Sequence, residues 1–229
     1  MDPLPFIDIH THQAHSSNAV VRVLNLMPGD PVPAFMGRNF YSAGLHPWEL
    51  LSESENNDRL RMLEDTLELD HVIFVGECGL DKLAASGYQE QIRVFKAHVF
   101  MAEEYQKPLI IHCVKSWNEI FDIYRENPPS VPWIFHGFNG NPELIKQFAG
   151  NNIWFSFGDW LLKDHKRTVE SLKTLPIDNV FFETDIFKGS IKLIYEKASE
   201  VLGMPLESLK ESIWKNFNRI ENVSFSSNF

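Results

Sequence analysis

Residues Val72-Ile73-Phe74-Val75-Gly76-Glu77 run four apolar side chains into a glycine and a carboxylate. Side chains alternate along a strand, so an unbroken apolar run greases both faces at once, as a parallel strand covered on both sides requires. Leu109-Ile110-Ile111 repeats the pattern and ends on His112. By the same reading, strands are expected at Leu4 to Ile9, Ala19 to Leu26, Tyr41 to Leu45, His71 to Gly76, Pro108 to Cys113, Pro132 to Gly137, Ile153 to Phe157 and Val180 to Thr184.

Helical patterns separate most of these runs. The clearest extends from Tyr88 to Gln106, where Tyr88, Ile92, Phe95, Val99 and Ala102 form one stripe and Glu90, Arg93, Lys96 and Glu103 lie elsewhere. Another opens at Asn141-Pro142-Glu143, a capping residue followed by proline, and stops at Gly150. Strands alternating with helices in this way predict a TIM (β/α)8 barrel occupying residues 1–229 as one domain. At 229 residues the chain is small for that fold. Met27 to Asn39 carries Pro28, Pro31, Pro33, Gly29 and Gly37, which predicts a loop in place of the second crossover helix and hence a compact variant. A doubly wound open sheet is the rival, but no glycine-rich phosphate fingerprint follows the first strand.

A hydrophobic content of 44%, with 13% aromatic residues, suffices for a substantial core and argues against disorder. The net charge of -10 repels polyanions at long range, so a broad basic groove is not expected. Any nucleic-acid substrate needs local positive charge, which a pair of divalent ions would supply as about four charges. Two cysteines, Cys78 and Cys113, are too few for a disulfide scaffold. Each follows a residue of interest, Glu77 or His112, and strand alternation turns it away, which suits a small buried side chain. No signal peptide or long apolar span is visible, and a cytoplasmic protein without membrane contact is expected.

In a TIM barrel the active site lies where the strands end at their C-terminal side. The first strand leads into Asp8-Ile9-His10-Thr11-His12, which points both imidazoles to one face and makes a ready metal chelate. The third leads into Gly44-Leu45-His46-Pro47 and the fourth into Gly76-Glu77-Cys78-Gly79-Leu80-Asp81. The fifth reaches His112, the sixth His136 and the eighth Glu183-Thr184-Asp185. Four imidazoles and two carboxylates converging on one mouth can hold two metals with one carboxylate bridging. His46 is positioned to touch a substrate phosphate or to support a ligand. Lys115 and Lys188, just beyond two strand ends, are positioned to meet phosphate oxygens.

The ordered set of these signatures resembles the TatD family of metal-dependent hydrolases, within the amidohydrolase-like TIM barrels. The matching stretches are residues 7–12, 44–47 and 75–81, Gln91 with Phe95, residues 108–112, His136-Gly137-Phe138-Asn139-Gly140, Glu183-Thr184-Asp185 and Asn216-Phe217-Asn218-Arg219. The resemblance implies a phosphoesterase with two divalent ions (Mg, Mn or Zn), typically a deoxyribonuclease acting on single-stranded DNA or 3′ ends. It implies that His10, His12 and Asp185 hold one ion, His112 and His136 the other, and that Glu77 bridges them. By the same analogy Asp185 accepts the proton of the attacking water. Asp8 and Glu183 are expected to orient ligands, with a hydrogen-bonding role in the barrel interior as the alternative for Glu183, which shares its face with Asp185. The chain departs from the family pattern in two places. Val114 stands where relatives usually carry an arginine, and Ile186-Phe187-Lys188-Gly189-Ser190 replaces a longer loop after Asp185, leaving a shorter and more apolar rim. Hydrolysis of small phosphate esters, lactones or amides is the alternative activity, and metal binding without catalysis the non-enzymatic one.

Overall fold

In the computed structural model the described residues are 4–14, 17, 19–33, 38–148 and 152–220. Their strands are β1 (Phe6–Thr11), β2 (Val20–Leu26), β3 (Asn39–Ala43), β4 (Val72–Asp81), β5 (Leu109–Val114), β6 (Trp133–Phe135), β7 (Ile153–Phe157) and β8 (Val180–Phe182). They pair in chain order, all parallel. Around them run α1 (Glu53–Leu67), α2 (Tyr88–Glu104), α3 (Trp117–Glu126), α4 (Pro142–Gln147), α5 (Lys166–Thr174), α6 (Ile191–Leu202) and α7 (Leu206–Ile220). This is the expected TIM barrel, not the open sheet.

Closure joins β1 to the residues just after β8. Asp185 N–H donates to the His10 carbonyl at 3.0 Å, and His12 N–H donates to the Asp185 carbonyl at 3.2 Å. Asp8 staples the same seam: its carboxylate accepts the Thr184 N–H at 2.8 Å and the Thr184 hydroxyl at 2.7 Å. Burial pushes the Asp8 carboxyl up to about 7, against the hydrogen bonds from Thr184 that favour its charged form.

Several boundaries differ from the sequence reading, each for a physical reason. β1 runs to Thr11 and not Ile9, because its last residues pair with β2 and Asp185, so His10 lies inside the strand. β3 starts and ends earlier than expected, which leaves His46 capping a 3-10 turn at Pro47–Glu49. The largest difference is β4, which continues through Glu77 to Asp81 where glycine suggested a stop at Gly76. Gly76 and Gly79 have φ of +115° and +148°, and a Cβ on either would lie 2.4 Å from the Ile110 carbonyl oxygen or 2.0 Å from that of His112. Here glycine permits the close approach of β4 to β5. β6 and β8 are shorter than expected, three residues each.

Residues 27–33 and 38 contain no helix, as the proline-rich run implied. Unexpectedly, the described residues between β1 and β2 contain none either, so two early crossovers are short. The Asn141 side chain caps α4 by accepting from Glu143 N–H, while the expected stop at Gly150 lies outside the described residues.

Helix α2 ends at Glu104, and its buried face is Gln91, Val94, Phe95, His98, Met101 and Ala102. Two polar residues thus sit where the apolar stripe implied only packing. Gln91 accepts from Asp81 N–H at 2.8 Å. His98 accepts from Leu45 N–H at 2.9 Å through Nε2, while its Nδ1 lies 2.8 Å from the Val94 carbonyl and so carries the proton. The helix therefore anchors the backbone beyond β3 and along β4. Burial pushes the His98 imidazole down to about 4. The unfolded chain binds a proton there below its ordinary value near 6.5, so stability present above that pH is lost as pH falls towards 4, by about 3 kcal/mol. Urea unfolding of His98→Gln, compared with the wild type from pH 7 to 4, should lack this component of the acid slope; identical slopes would refute the assignment.

Candidate metal centre

Glu77 lies at the middle of the mouth, 4% exposed, with a different set of histidines at each oxygen. Oε2 is 3.2 Å from His10 Nε2 and 3.4 Å from His12 Nε2. Oε1 is 2.7 Å from His136 Nε2, 3.0 Å from His112 Nδ1 and 3.2 Å from His46 Nε2. Asp185 closes the first set, with Oδ1 at 3.5 Å from His12 Nε2 and 3.8 Å from His10 Nε2. His10, His12 and Glu77 offer donor atoms all within 4.8 Å of one another, as do His10, His136 and Asp185, and His46, Glu77 and His112.

Charge and burial are poorly balanced by these side chains alone. Burial would raise the Glu77 carboxyl, yet the charges of His136 and His10 hold it well below the usual carboxylate range. Burial opposes charge on His136, and the Glu77 and Glu183 carboxylates beside it overcome that, holding the imidazolium well above its ordinary range. The hydrogen bond with Glu77 raises His12 as well. Both ring nitrogens of His10 are buried; Nδ1 has no hydrogen-bond partner, and Nε2 faces Glu77 Oε2 at 3.2 Å without a well-directed hydrogen bond. Such an atom costs about 1–3 kcal/mol unless something coordinates it. A divalent ion fits the donor set: imidazole and carboxylate suit Zn or Mn, and the orphaned His10 nitrogen would gain a partner.

Residues 32–222 match the family described as TatD related DNase. The chain belongs to this family. The match begins after β1, so His10 and His12 fall outside it and join the cluster through the barrel seam. The chain is 28% identical over 190 residues to an uncharacterized metal-dependent hydrolase of Methanocaldococcus jannaschii, covering 77% of this chain and 73% of that protein. It is 26% identical over 149 residues to a protein of Erwinia billingiae named 3'-5' ssDNA/RNA exonuclease TatD, covering 63% and 56%. A TatD homologue from Escherichia coli K12 shares the fold, with a TM-score of 0.81 at 19% identity over 95% of this chain and 98% of that one.

In this TatD-family chain the outer nitrogens of two histidines face carboxylates. His112 Nε2 is 3.2 Å from Asp81 Oδ2, and His136 Nδ1 is 3.4 Å from Glu183 Oε1. Each ring is thereby oriented with its other nitrogen towards Glu77. Glu183 also accepts from Gly137 N–H at 2.6 Å, which ties β6 to β8. Asp8 holds the seam and makes no approach to the histidine cluster.

Asp81 stood in a quoted motif without a role, and Trp48, whose Nε1–H donates to it at 2.6 Å, carried no signal beyond its place after His46-Pro47. Asn25 was missed altogether, although a lone amide in Val-Val-Arg-Val-Leu-Asn-Leu was the available clue. Its Oδ1 accepts from Glu77 N–H at 2.7 Å and from the Ser42 hydroxyl at 3.1 Å.

Beside the cluster, a cavity of about 610 Å³ extends over the β5, β6, β7 and β8 loops. His112, His136 and Asp185 border it, together with Val114, Lys115, Trp160, Arg167 and Phe187. Lys115 is therefore brought to the mouth. Lys188 is exposed and does not line the cavity. His46 faces Glu77.

Asn25→Leu would strip the Glu77 N–H of its acceptor. Chemical denaturation should show a loss of about 1–3 kcal/mol, and an unchanged stability would show that the contact is dispensable.

Proposed function

We propose that this metal-dependent hydrolase cleaves phosphodiester bonds with the aid of two divalent ions, with single-stranded DNA as its substrate. The observation that carries the reading is the division of Glu77: one carboxylate oxygen faces His10 and His12 and the other faces His112 and His136. On this reading His10, His12 and Asp185 hold one ion, His112 and His136 the other, and Glu77 contributes to both. Mg, Mn and Zn are the candidate ions. Bound there, they would neutralise phosphoryl charge and lower the pKa of water near the site.

The chain's own groups have separable tasks. The Asp185 side chain, one-third exposed, reaches the mouth while Glu77 is enclosed, so Asp185 is the carboxylate placed to accept a proton from the attacking water. Its backbone is held at φ +48°, a left-handed conformation that aspartate tolerates better than most residues. His46 is positioned towards a phosphate oxygen or the leaving group. Asp81 and Glu183 keep the rings of His112 and His136 in place. Relatives named 3'-5' ssDNA/RNA exonuclease support a single-stranded nucleic acid as substrate. No helix among the described residues is long and apolar enough to cross a membrane, and the unbridged Cys78 and Cys113 support a reducing, cytoplasmic setting.

Metal analysis after loading with Mn or Zn should find about two ions per chain, and Glu77→Ala should lose both; no bound metal in the wild type would refute the reading. A labelled single-stranded oligonucleotide should be degraded in Mg or Mn. His112→Ala should slow this by more than about a hundred-fold, the upper range for losing a merely orienting group. Cleavage of a simple phosphodiester with none of any nucleic acid would move the substrate to small esters. Two bound ions without hydrolysis of either would leave a metal-binding protein.

A further inference from the structure

Many cations of the described chain have acidic partners, among them Lys82 with Glu119, Arg93 with Glu90, Lys96 with Glu126, Lys163 with Asp159 and Lys197 with Asp164. Among the described residues the side chains of Lys115 and Arg167 are in the minority that make no ion pair or hydrogen bond, and these two line one cavity. In a chain of net charge -10, two cations left unmatched at one place need an explanation. They come from different elements, Lys115 from the loop after β5 and Arg167 from the first turn of α5, yet both line the cavity that opens onto His112, His136 and Asp185. Lys115 is held at φ +54°, an uncommon conformation for lysine.

The same cavity is lined by Trp160, 39% exposed. Its ring is braced by His165, at 5.0 Å between centroids, and by the Lys163 ammonium at 4.7 Å, itself tied to Asp159 at 2.6 Å. Backbone hydrogen bonds fold the same loop on itself, Leu161 to Gly158 and His165 to Trp160. An aromatic face held in advance, two free cations and a volume of about 610 Å³ suit one nucleotide unit of a flexible strand.

We infer that this cavity is a nucleotide subsite in which Arg167 and Lys115 bind the phosphate adjoining the scissile one and Trp160 stacks its base. The inference rests on the phosphodiesterase reading above and extends it to a single-stranded substrate that continues beyond the cut on the β5–β7 side.

The test compares a ten-nucleotide single-stranded DNA with bis(4-nitrophenyl) phosphate, which has one phosphate and no base, on metal-loaded protein. Arg167→Gln and Lys115→Gln should each lower kcat/KM on the oligonucleotide about ten-fold further than on the small ester. Fluorescence anisotropy should show the salt slope of oligonucleotide binding falling by about 0.7 for each cation removed. Trp160→Ala should weaken oligonucleotide binding about ten-fold or more, and Trp160→Phe should restore most of it. Lys173→Gln, at the far end of α5, removes the same charge and should change neither measurement. Equal losses on both substrates, or unchanged salt slopes, would overturn the subsite. A wild type that cleaves the ester but neither cleaves nor binds the oligonucleotide would overturn the subsite and leave a phosphoesterase. If neither substrate is cleaved, the phosphodiesterase reading fails, and the anisotropy series still decides whether the cavity holds a strand.

Discussion

The barrel closes where β1 meets the residues after β8, and the rest of the mouth depends on that seam. Two backbone hydrogen bonds span it, between Asp185 and the segment from His10 to His12. They are reinforced by the buried Asp8 carboxylate, which takes both the N–H and the hydroxyl of Thr184. A buried carboxylate is costly unless its lone pairs are used, so this pairing penalises alternative registers of the closing strands. The register brings Asp185 beside His10 and His12. Without closure, residues from the two ends of the chain would share no site.

A second constraint acts across the barrel. Glu77 reaches both histidine sets because β4 lies unusually close to β5, which only glycine at positions 76 and 79 allows. Asn25 fixes the Glu77 amide from β2, while Gln91 and His98 hold neighbouring backbone from α2. The site is thus oriented by groups on rigid elements, which suits a centre where donor positions must be set before an ion binds. Burial without full hydrogen bonding, most evident at His10, is the complementary cost.

The mouth is also electrostatically divided. Carboxylates and imidazoles concentrate at its centre, whereas the unmatched Lys115 and Arg167 stand to one side with Trp160. The net charge of -10 repels polyanions at long range, against which the local positive charge of these two side chains stands out. Val114 contributes no charge to the cavity, and Arg167 provides a guanidinium there from the first turn of α5.

Local sequence sufficed for the architecture and for most of the central cluster. Continuous apolar runs specify buried parallel strands, and the barrel geometry then aims whatever follows each run at one point; hence His10, Glu77, His112, His136 and Asp185 could be grouped before any coordinates. Strand limits were less legible, because glycine signals both a break and a close approach, and only the position of β5 distinguishes them at Gly76. Asn25, Asp81 and Trp48 acquire roles through hydrogen bonds to residues 31 to 52 positions away, which no local pattern encodes. The same holds for Arg167, an ordinary helix residue in sequence, which shares a cavity with Lys115 only because the segments after β5 and β7 converge there. Residue type and period set which chemistry was available; long-range packing selected which groups meet.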